Sequence, residues 1–134
     1  MDIKIGYKEI ESFVNRHYGI CVGLSMAYEN TIELTYKHNR YMPTVILHLS
    51  VSEIGETYAV FNYSSPMLVG RVIEKVVSML GKYLPTDIVI LSPEKKEIKV
   101  DMQGMESSQI LLSMLSLEDL LITDDGIEIN CKIK

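Results

Sequence analysis

The chain has 134 residues, a formal net charge of −5 and an apolar content of 47%. A chain of this length can bury a core without disulfides or metals, so we expect a single domain over residues 1–134. Phosphate backbones and anionic membrane surfaces are bound by clustered basic residues, whereas the basic residues here are scattered along an acidic chain. Nucleic acid and anionic membranes are therefore excluded as expected partners.

The cellular compartment is predicted from the N-terminus, the apolar runs and the cysteines. Residues 1–6 contain no charged region followed by an apolar run, so they do not predict a signal peptide. The longest apolar runs have a handful of residues, against the ~20 that a membrane-spanning helix needs. Two cysteines, Cys21 and Cys131, do not predict a disulfide framework and are expected to be buried apolar residues. A cytoplasmic location is predicted, although a chain whose export signal had been removed would have the same features.

The first predicted elements are a short amphipathic helix at 8–18, ended by Gly19, and a strand at 19–28. The two faces of this strand differ in size. One face carries Ile20, Val22, Leu24, Met26 and Tyr28. The other, which we call the small-residue face, carries Gly19, Cys21, Gly23, Ser25 and Ala27. Since small residues permit close approach, we expect a long helix to pack on the small-residue face.

Three further strands are predicted at 31–37, 44–51 and 57–63, where apolar side chains alternate with polar ones or β-branched and aromatic residues cluster. Their connections to one another and to the strand at 19–28 are short. Short connections join neighbouring antiparallel strands, so the four segments predict a four-stranded meander.

A long helix is predicted at 66–84, begun by Ser65-Pro66 and ended by Pro85. At 100° per residue, its polar side chains occupy a stripe only about 100° wide. They are Arg71, Glu74, Lys75, Ser78 and Lys82. The apolar arc that remains around the helix is wider than a helix covering a single sheet needs. We therefore expect the helix to be covered on two or three sides.

The C-terminal third predicts a hairpin at 87–102, a short helix at 107–115 with almost no polar face, and a hairpin at 120–134. The expected fold is therefore α+β. An antiparallel sheet, made of the four-stranded meander and one or two further hairpins, would carry the helices at 8–18, 66–84 and 107–115 mainly on one face.

No sequence motif for catalysis, metal binding or nucleotide binding stands out. His48 lies in a predicted strand, where a single histidine is more often structural than catalytic. Asp124-Asp125-Gly126 lacks the rest of a calcium loop and is explained by a hairpin turn. No catalytic residue, metal or cofactor is predicted, and an enzyme hypothesis has no residue to support it.

Two functional hypotheses remain. In the first, the protein is a non-enzymatic interaction module that binds itself or another protein through the apolar surfaces of the helices. In the second, it is a carrier that binds a lipid-like or aromatic small molecule in an apolar cavity between helices and sheet, with adaptable methionine walls. The candidate interface or pocket residues are Met67, Met79, Met105, Leu112, Met114, Leu115 and Gly23.

Overall fold

The computed structural model describes residues 2–37, 41, 44–66, 71–82, 87–104 and 113–134, with the backbone alone for residues 71, 72, 76 and 80. Within these ranges there are nine strands, two α-helices and a 3-10 turn at Met102–Gly104. The helices are α1 (Tyr7–Tyr18) and α2 (Arg71–Gly81). The strands are β1 (Asp2–Gly6), β2 (Val22–Tyr28), β3 (Thr31–Tyr36), β4 (Val45–Ile54), β5 (Tyr58–Ser64), β6 (Val89–Ser92), β7 (Glu97–Asp101), β8 (Leu115–Ile122) and β9 (Gly126–Ile133).

The strands form two antiparallel sheets, which confirms the predicted antiparallel pairing. The large sheet has six strands in the order β2-β3-β4-β5-β7-β6, so its first four strands follow the chain as a meander. The small sheet has three strands in the order β1-β9-β8. It joins the N-terminal strand to the C-terminal hairpin, a pairing between the two ends of the chain.

One face of the large sheet holds the two clusters of buried apolar side chains in the described structure. In the first cluster, Ile32 and Ala59 of the large sheet contact Leu120 and Ile122 of β8, together with Tyr7 from the start of α1. The second cluster is buried between the sheet and α2. Its members are Leu47, Tyr63, Ile73 and Val77. The small sheet and α2 therefore cover neighbouring halves of the same face.

The predicted α+β fold with helices packed mainly on one face is wrong, because the described chain is mostly β. The helix predicted at 66–84 is found as Arg71–Gly81, and it shares its face of the sheet with a second sheet. Residues 107–112 of the helix predicted at 107–115 lie outside the described residues, Ser113 and Met114 are helical as predicted, and Leu115 begins strand β8. Within Leu115–Ile122, Glu118 and Asp119 interrupt the apolar alternation where β8 has a bulge against β9, so the alternation does not predict the full strand.

The small-residue face was also assigned the wrong neighbour. Leu24 and Met26, on the bulky face of β2, pack into the core, while Gly23 lies opposite Thr35 on the outer face of the sheet. A Cβ at Gly23 would collide with the Thr35 hydroxyl. Burying large apolar side chains stabilises the fold more than the close packing that small residues allow. The face with Leu24 and Met26 therefore turns towards the core.

The predicted helix at 8–18 is found as α1, and its end has the expected cause. Gly19 has φ 69°, in the left-handed region that glycine adopts without strain, and its N–H donates to the Asn15 carbonyl at 2.9 Å. In the described ranges, neither α1 nor α2 combines the length and apolar character that crossing a membrane would require.

Candidate interaction surface

The residues predicted for an interface or pocket do not meet at one place in the described structure. Met67, Met105 and Leu112 lie outside the described residues. Three others lie apart, with the partly buried Met79 on α2, Gly23 on the outer face of the large sheet and Leu115 at the start of β8. Met114 precedes β8 and is 58% exposed. A further expectation is wrong, since Cys21 is exposed and Cys131 is only partly buried.

The small sheet has one apolar face, which its strand register defines. Ile3 pairs with Ile129, which pairs in turn with Leu120. Side chains alternate along a strand, so the apolar residues of all three strands share this face, except Leu121, which pairs with Glu128 on the other face. Near the β8–β9 turn, Leu120, Ile122 and Ile127 pack against the large sheet.

The same apolar face continues beyond the large sheet, and we call this continuation the apolar overhang. It consists of Ile3, Ile129, Cys131 and Ile133. Ile3 is 40% exposed and Ile133 is 80% exposed, while the two residues between them are partly buried. An edge of exposed isoleucine that continues a buried apolar face is typical of a surface that binds a partner.

The β1 edge of the small sheet is open in the described part of the chain, where its strand partner is β9. The Gly126 carbonyl accepts the Thr123 N–H at 2.8 Å, and the Lys134 N–H donates to the Met114 carbonyl at 2.9 Å. Even-numbered residues of β9 therefore bond towards β8, and odd-numbered residues bond towards β1.

The odd-numbered residues Ile127 and Ile129 of β9 pair with Ile5 and Ile3 of β1. By the same alternation, Asp2, Lys4 and Gly6 direct their backbone N–H and C=O groups away from β9. These groups form a template to which another strand can add.

The β2 edge of the large sheet is protected in a way that β1 is not. Helix α1 runs beside β2, and the Leu24 N–H donates to a Glu11 carboxylate oxygen at 2.9 Å. The opposite edge strand, β6, has four residues, and a short edge is a poor template for pairing.

At the other edge of the small sheet, formed by β8, the Leu117 N–H donates to the Glu56 carbonyl at 2.8 Å. The Leu120 N–H of the same strand donates to Asp119 Oδ1 at 2.8 Å. Among the described residues, β1 is therefore the edge strand whose outward groups at Asp2 and Lys4 are left for a partner.

The residues of β1 carry an alternating pattern that could have predicted this strand. Ile3 and Ile5 alternate with Asp2 and Lys4, which is the two-residue period of a half-buried strand. On the polar face of the small sheet, the Lys4 Nζ lies 3.3 Å from a Glu128 carboxylate oxygen. Because the pattern spans only five residues at the start of the chain, its pairing with β9 could not be read from local sequence.

A second candidate site is a polar cluster on the outer face of the large sheet. His48 Nε2 lies 3.3 Å from Glu33 Oε1, and the Tyr28 ring meets the imidazole edge-on at a centroid distance of 5.6 Å. Beside them, the hydroxyls of Thr31 and Ser50 are hydrogen-bonded at 2.9 Å. The cluster satisfies its own hydrogen bonds across neighbouring strands, which is the usual role of polar pairs on an exposed sheet face.

Two open grooves border α1 and do not meet the His48 cluster. One is lined by Glu11, Ser12, Asn15, Arg16, Cys21 and Val22, and the other by Ile5, Lys8, Glu9, Ile10, Ser12, Phe13 and Arg16. Within the described ranges, no three histidine, cysteine or acidic side chains are grouped so that they could hold a metal ion.

Comparison of this chain with protein-family models, with curated protein sequences and with solved structures found no match.

Proposed function

We propose that this protein is a non-enzymatic interaction module that self-associates through its small sheet. The observation that carries the proposal is the apolar overhang, which ends at the open edge of β1. Removing exposed isoleucine from water favours association, and each Å² of apolar surface buried contributes about 25 cal/mol. The open N–H and C=O groups of β1 give the association a direction that apolar contact alone lacks.

The proposal places the interface on the small sheet instead of on the helices. The inward side of α2 is already occupied, because Ile73 and Val77 are buried against Leu47 and Tyr63 of the large sheet. The small sheet has no such cover over Ile3 and Ile133. Exposed apolar area is what a partner can still bury, so the small sheet is favoured over α2.

The carrier hypothesis has less support from the contacts. The space between α2 and the large sheet is filled by Leu47, Tyr63, Ile73 and Val77, each of which is 3% exposed or less. Gly23, which was expected to make room for a ligand, lies on the opposite face of the sheet. Uptake of an apolar molecule is therefore kept as an outcome of the test.

The proposal is tested by sedimentation velocity and native mass spectrometry over a wide concentration range. We expect a concentration-dependent dimer for the wild type and a monomer for Ile3→Asp, because the aspartate would lose its hydration in the interface. Leu121→Asp is the matched control, since Leu121 is 50% exposed but lies on the other face of the same sheet. It should dimerise like the wild type.

Three results would count against the proposal. A wild type that stays monomeric at every concentration removes self-association. Equal loss of the dimer in Ile3→Asp and Leu121→Asp removes the apolar overhang as the interface. A monomer that releases an apolar small molecule on denaturation favours the carrier.

A further inference from the structure

We infer that two copies of this chain pair through their β1 strands, antiparallel and with the two-fold axis at Ile3, to form one continuous six-stranded sheet. This inference rests on the proposed self-association and specifies its contact. The strand order across the dimer is β8-β9-β1 of one copy followed by β1-β9-β8 of the second. Closed two-fold pairing uses the same edge of both copies and leaves no open β1 edge.

The register follows from which residues face the open edge. Asp2, Lys4 and Gly6 point their N–H and C=O groups outward, so they must form the hydrogen-bonded pairs with the second copy. Three symmetric registers of β1 on β1 give at least two such pairs. The register that sets Lys4 opposite Gly6 would place Tyr7, where α1 begins, opposite Ile3 of the second copy, and a helical residue cannot continue a strand pair, so two registers remain. One sets Asp2 opposite Lys4 of the second copy, and the other sets Lys4 opposite Lys4.

Charge decides between these two registers. In the first register, each Lys4 lies between Glu128 of its own chain, at 3.3 Å, and Asp2 of the second copy. In the second register, the two Lys4 side chains face each other directly, and like charges in opposed cross-strand positions are destabilising. The first register turns every charge on this edge towards an opposite one, and we adopt it.

The apolar face supports the same register. In the first register, Ile3 lies opposite Ile3 of the second copy in a non-hydrogen-bonded pair, where side chains come closest. Each Ile3 already pairs with Ile129, which pairs with Leu120. The result is an unbroken apolar row across all six strands, and it covers an Ile3 that is 40% exposed in the single chain.

Disulfide cross-linking tests the register directly. Cα atoms of an opposed non-hydrogen-bonded pair lie about 4.5 Å apart, within the range that a disulfide spans. In a background with Cys21→Ser and Cys131→Ser, Ile3→Cys should therefore form a disulfide-linked dimer under mild oxidation. Lys4→Cys is the matched control, because two Lys4 positions offset by two residues on neighbouring strands lie about 8 Å apart, beyond that range.

A charge-exchange experiment tests the same contact without oxidation. Asp2→Lys leaves two lysines on the edge, and Lys4→Asp leaves two aspartates. Each variant alone should dimerise about tenfold more weakly than the wild type, since both cross-strand charge pairs become repulsive. An equimolar mixture should recover the dimer as a heterodimer, identified by its mass, because the two edges are again complementary.

The outcomes separate the inference from the proposed function. A dimer that cross-links through Ile3→Cys and is recovered in the mixture supports both. A dimer that cross-links only through Lys4→Cys overturns the register, and a dimer that cross-links through neither position overturns β1 pairing while self-association stands. A chain that is monomeric at every concentration overturns both.

Discussion

The Tyr7 hydroxyl ties the first turn of α1 to the far end of the chain, and its removal is a sharp test of how the small sheet is held. The hydroxyl donates to the Thr123 carbonyl at 2.5 Å, and Tyr7 is 5% exposed. The neighbouring Tyr7 N–H donates to the Asp125 carbonyl at 3.2 Å. Tyr7→Phe removes the first of these bonds and keeps the ring in the core.

The expected loss follows from what the substitution leaves behind. A neutral hydrogen bond contributes about 0.5–1.5 kcal/mol, and an acceptor that loses its partner when partly buried adds a desolvation cost. We therefore expect Tyr7→Phe to lower the free energy of unfolding by about 1–2 kcal/mol. In urea, this is a fall in the midpoint of about 0.5–1 M with an unchanged slope.

Tyr63→Phe is the matched control in the same core. The Tyr63 hydroxyl is buried and has no hydrogen-bond partner among the described residues. Removing it deletes a desolvated polar group and no bond, so we expect no loss of stability or a small gain. Urea unfolding of both variants should therefore separate them, although both change tyrosine to phenylalanine. The reasoning is refuted if Tyr63→Phe loses as much stability as Tyr7→Phe, or if Tyr7→Phe is as stable as the wild type.

The pH dependence of stability has a predicted sign. Burial, and then the negative charges of Asp124 and Asp125, raise the pKa of the Tyr7 phenol above its usual value near 10. Burial also raises the pKa of Tyr63, with a smaller contribution from Glu74. A raised phenol pKa means that the neutral form is favoured in the folded state, so this stability is present below pH ~10 and is lost as the pH rises through the folded pKa values. The stability difference between the wild type and Tyr7→Phe should shrink in this alkaline range.

Three further predictions concern the edge of β2, the turn of the small sheet and the core. Glu11→Ala should lower the free energy of unfolding by about 1–2 kcal/mol and increase aggregation, because it leaves the Leu24 N–H without an acceptor at a sheet edge. Glu11→Gln keeps an acceptor and should change neither property. Urea unfolding measures the stability, and light scattering measures the aggregation. Gly126→Ala should destabilise by more than about 2 kcal/mol, since its Cβ would meet the backbone carbonyl of Ile5; a thermal midpoint equal to that of the wild type would contradict the β1–β9 register. Leu47→Ala, at a side chain 1% exposed, should cost about 2–5 kcal/mol in urea unfolding, and a smaller loss would mean that the core collapses around the gap.

Local signals were sufficient where a segment carried its own start, stop or turn residues. Gly19 predicted the end of α1 because a left-handed residue closes a helix whatever packs on it. The turn before Gly126 was likewise predicted from Asp124-Asp125-Gly126, and the hydroxyl of Thr123 stabilises it by accepting the Gly126 N–H at 3.1 Å. These features depend on residues close in sequence, which is why they could be predicted.

The candidate interface could not be predicted in the same way. β1 has the right alternation, but its partner β9 lies at the other end of the chain, and only that pairing shows which edge is open. Of strand β8, Leu115 was predicted as helix and residues 116–119 were given no element, because the bulge between Leu117 and Asp119 interrupts the two-residue alternation that indicates a strand. Of the predicted interface residues, Met67, Met105 and Leu112 lie outside the described residues, and none of the others, which are Gly23, Met79, Met114 and Leu115, lies on β1.

By itself, the sequence determined the positions of α1 and the meander strands, the antiparallel pairing of neighbouring segments and the hairpin turn, because glycine, proline and alternating apolar residues act over a few positions. Only the tertiary structure decided which face of β2 turns inward and which element covers each half of the large sheet. It also decided that the two ends of the chain form one sheet with an open edge. These features depend on competition between distant segments for the same apolar surface, and that competition has no local signature.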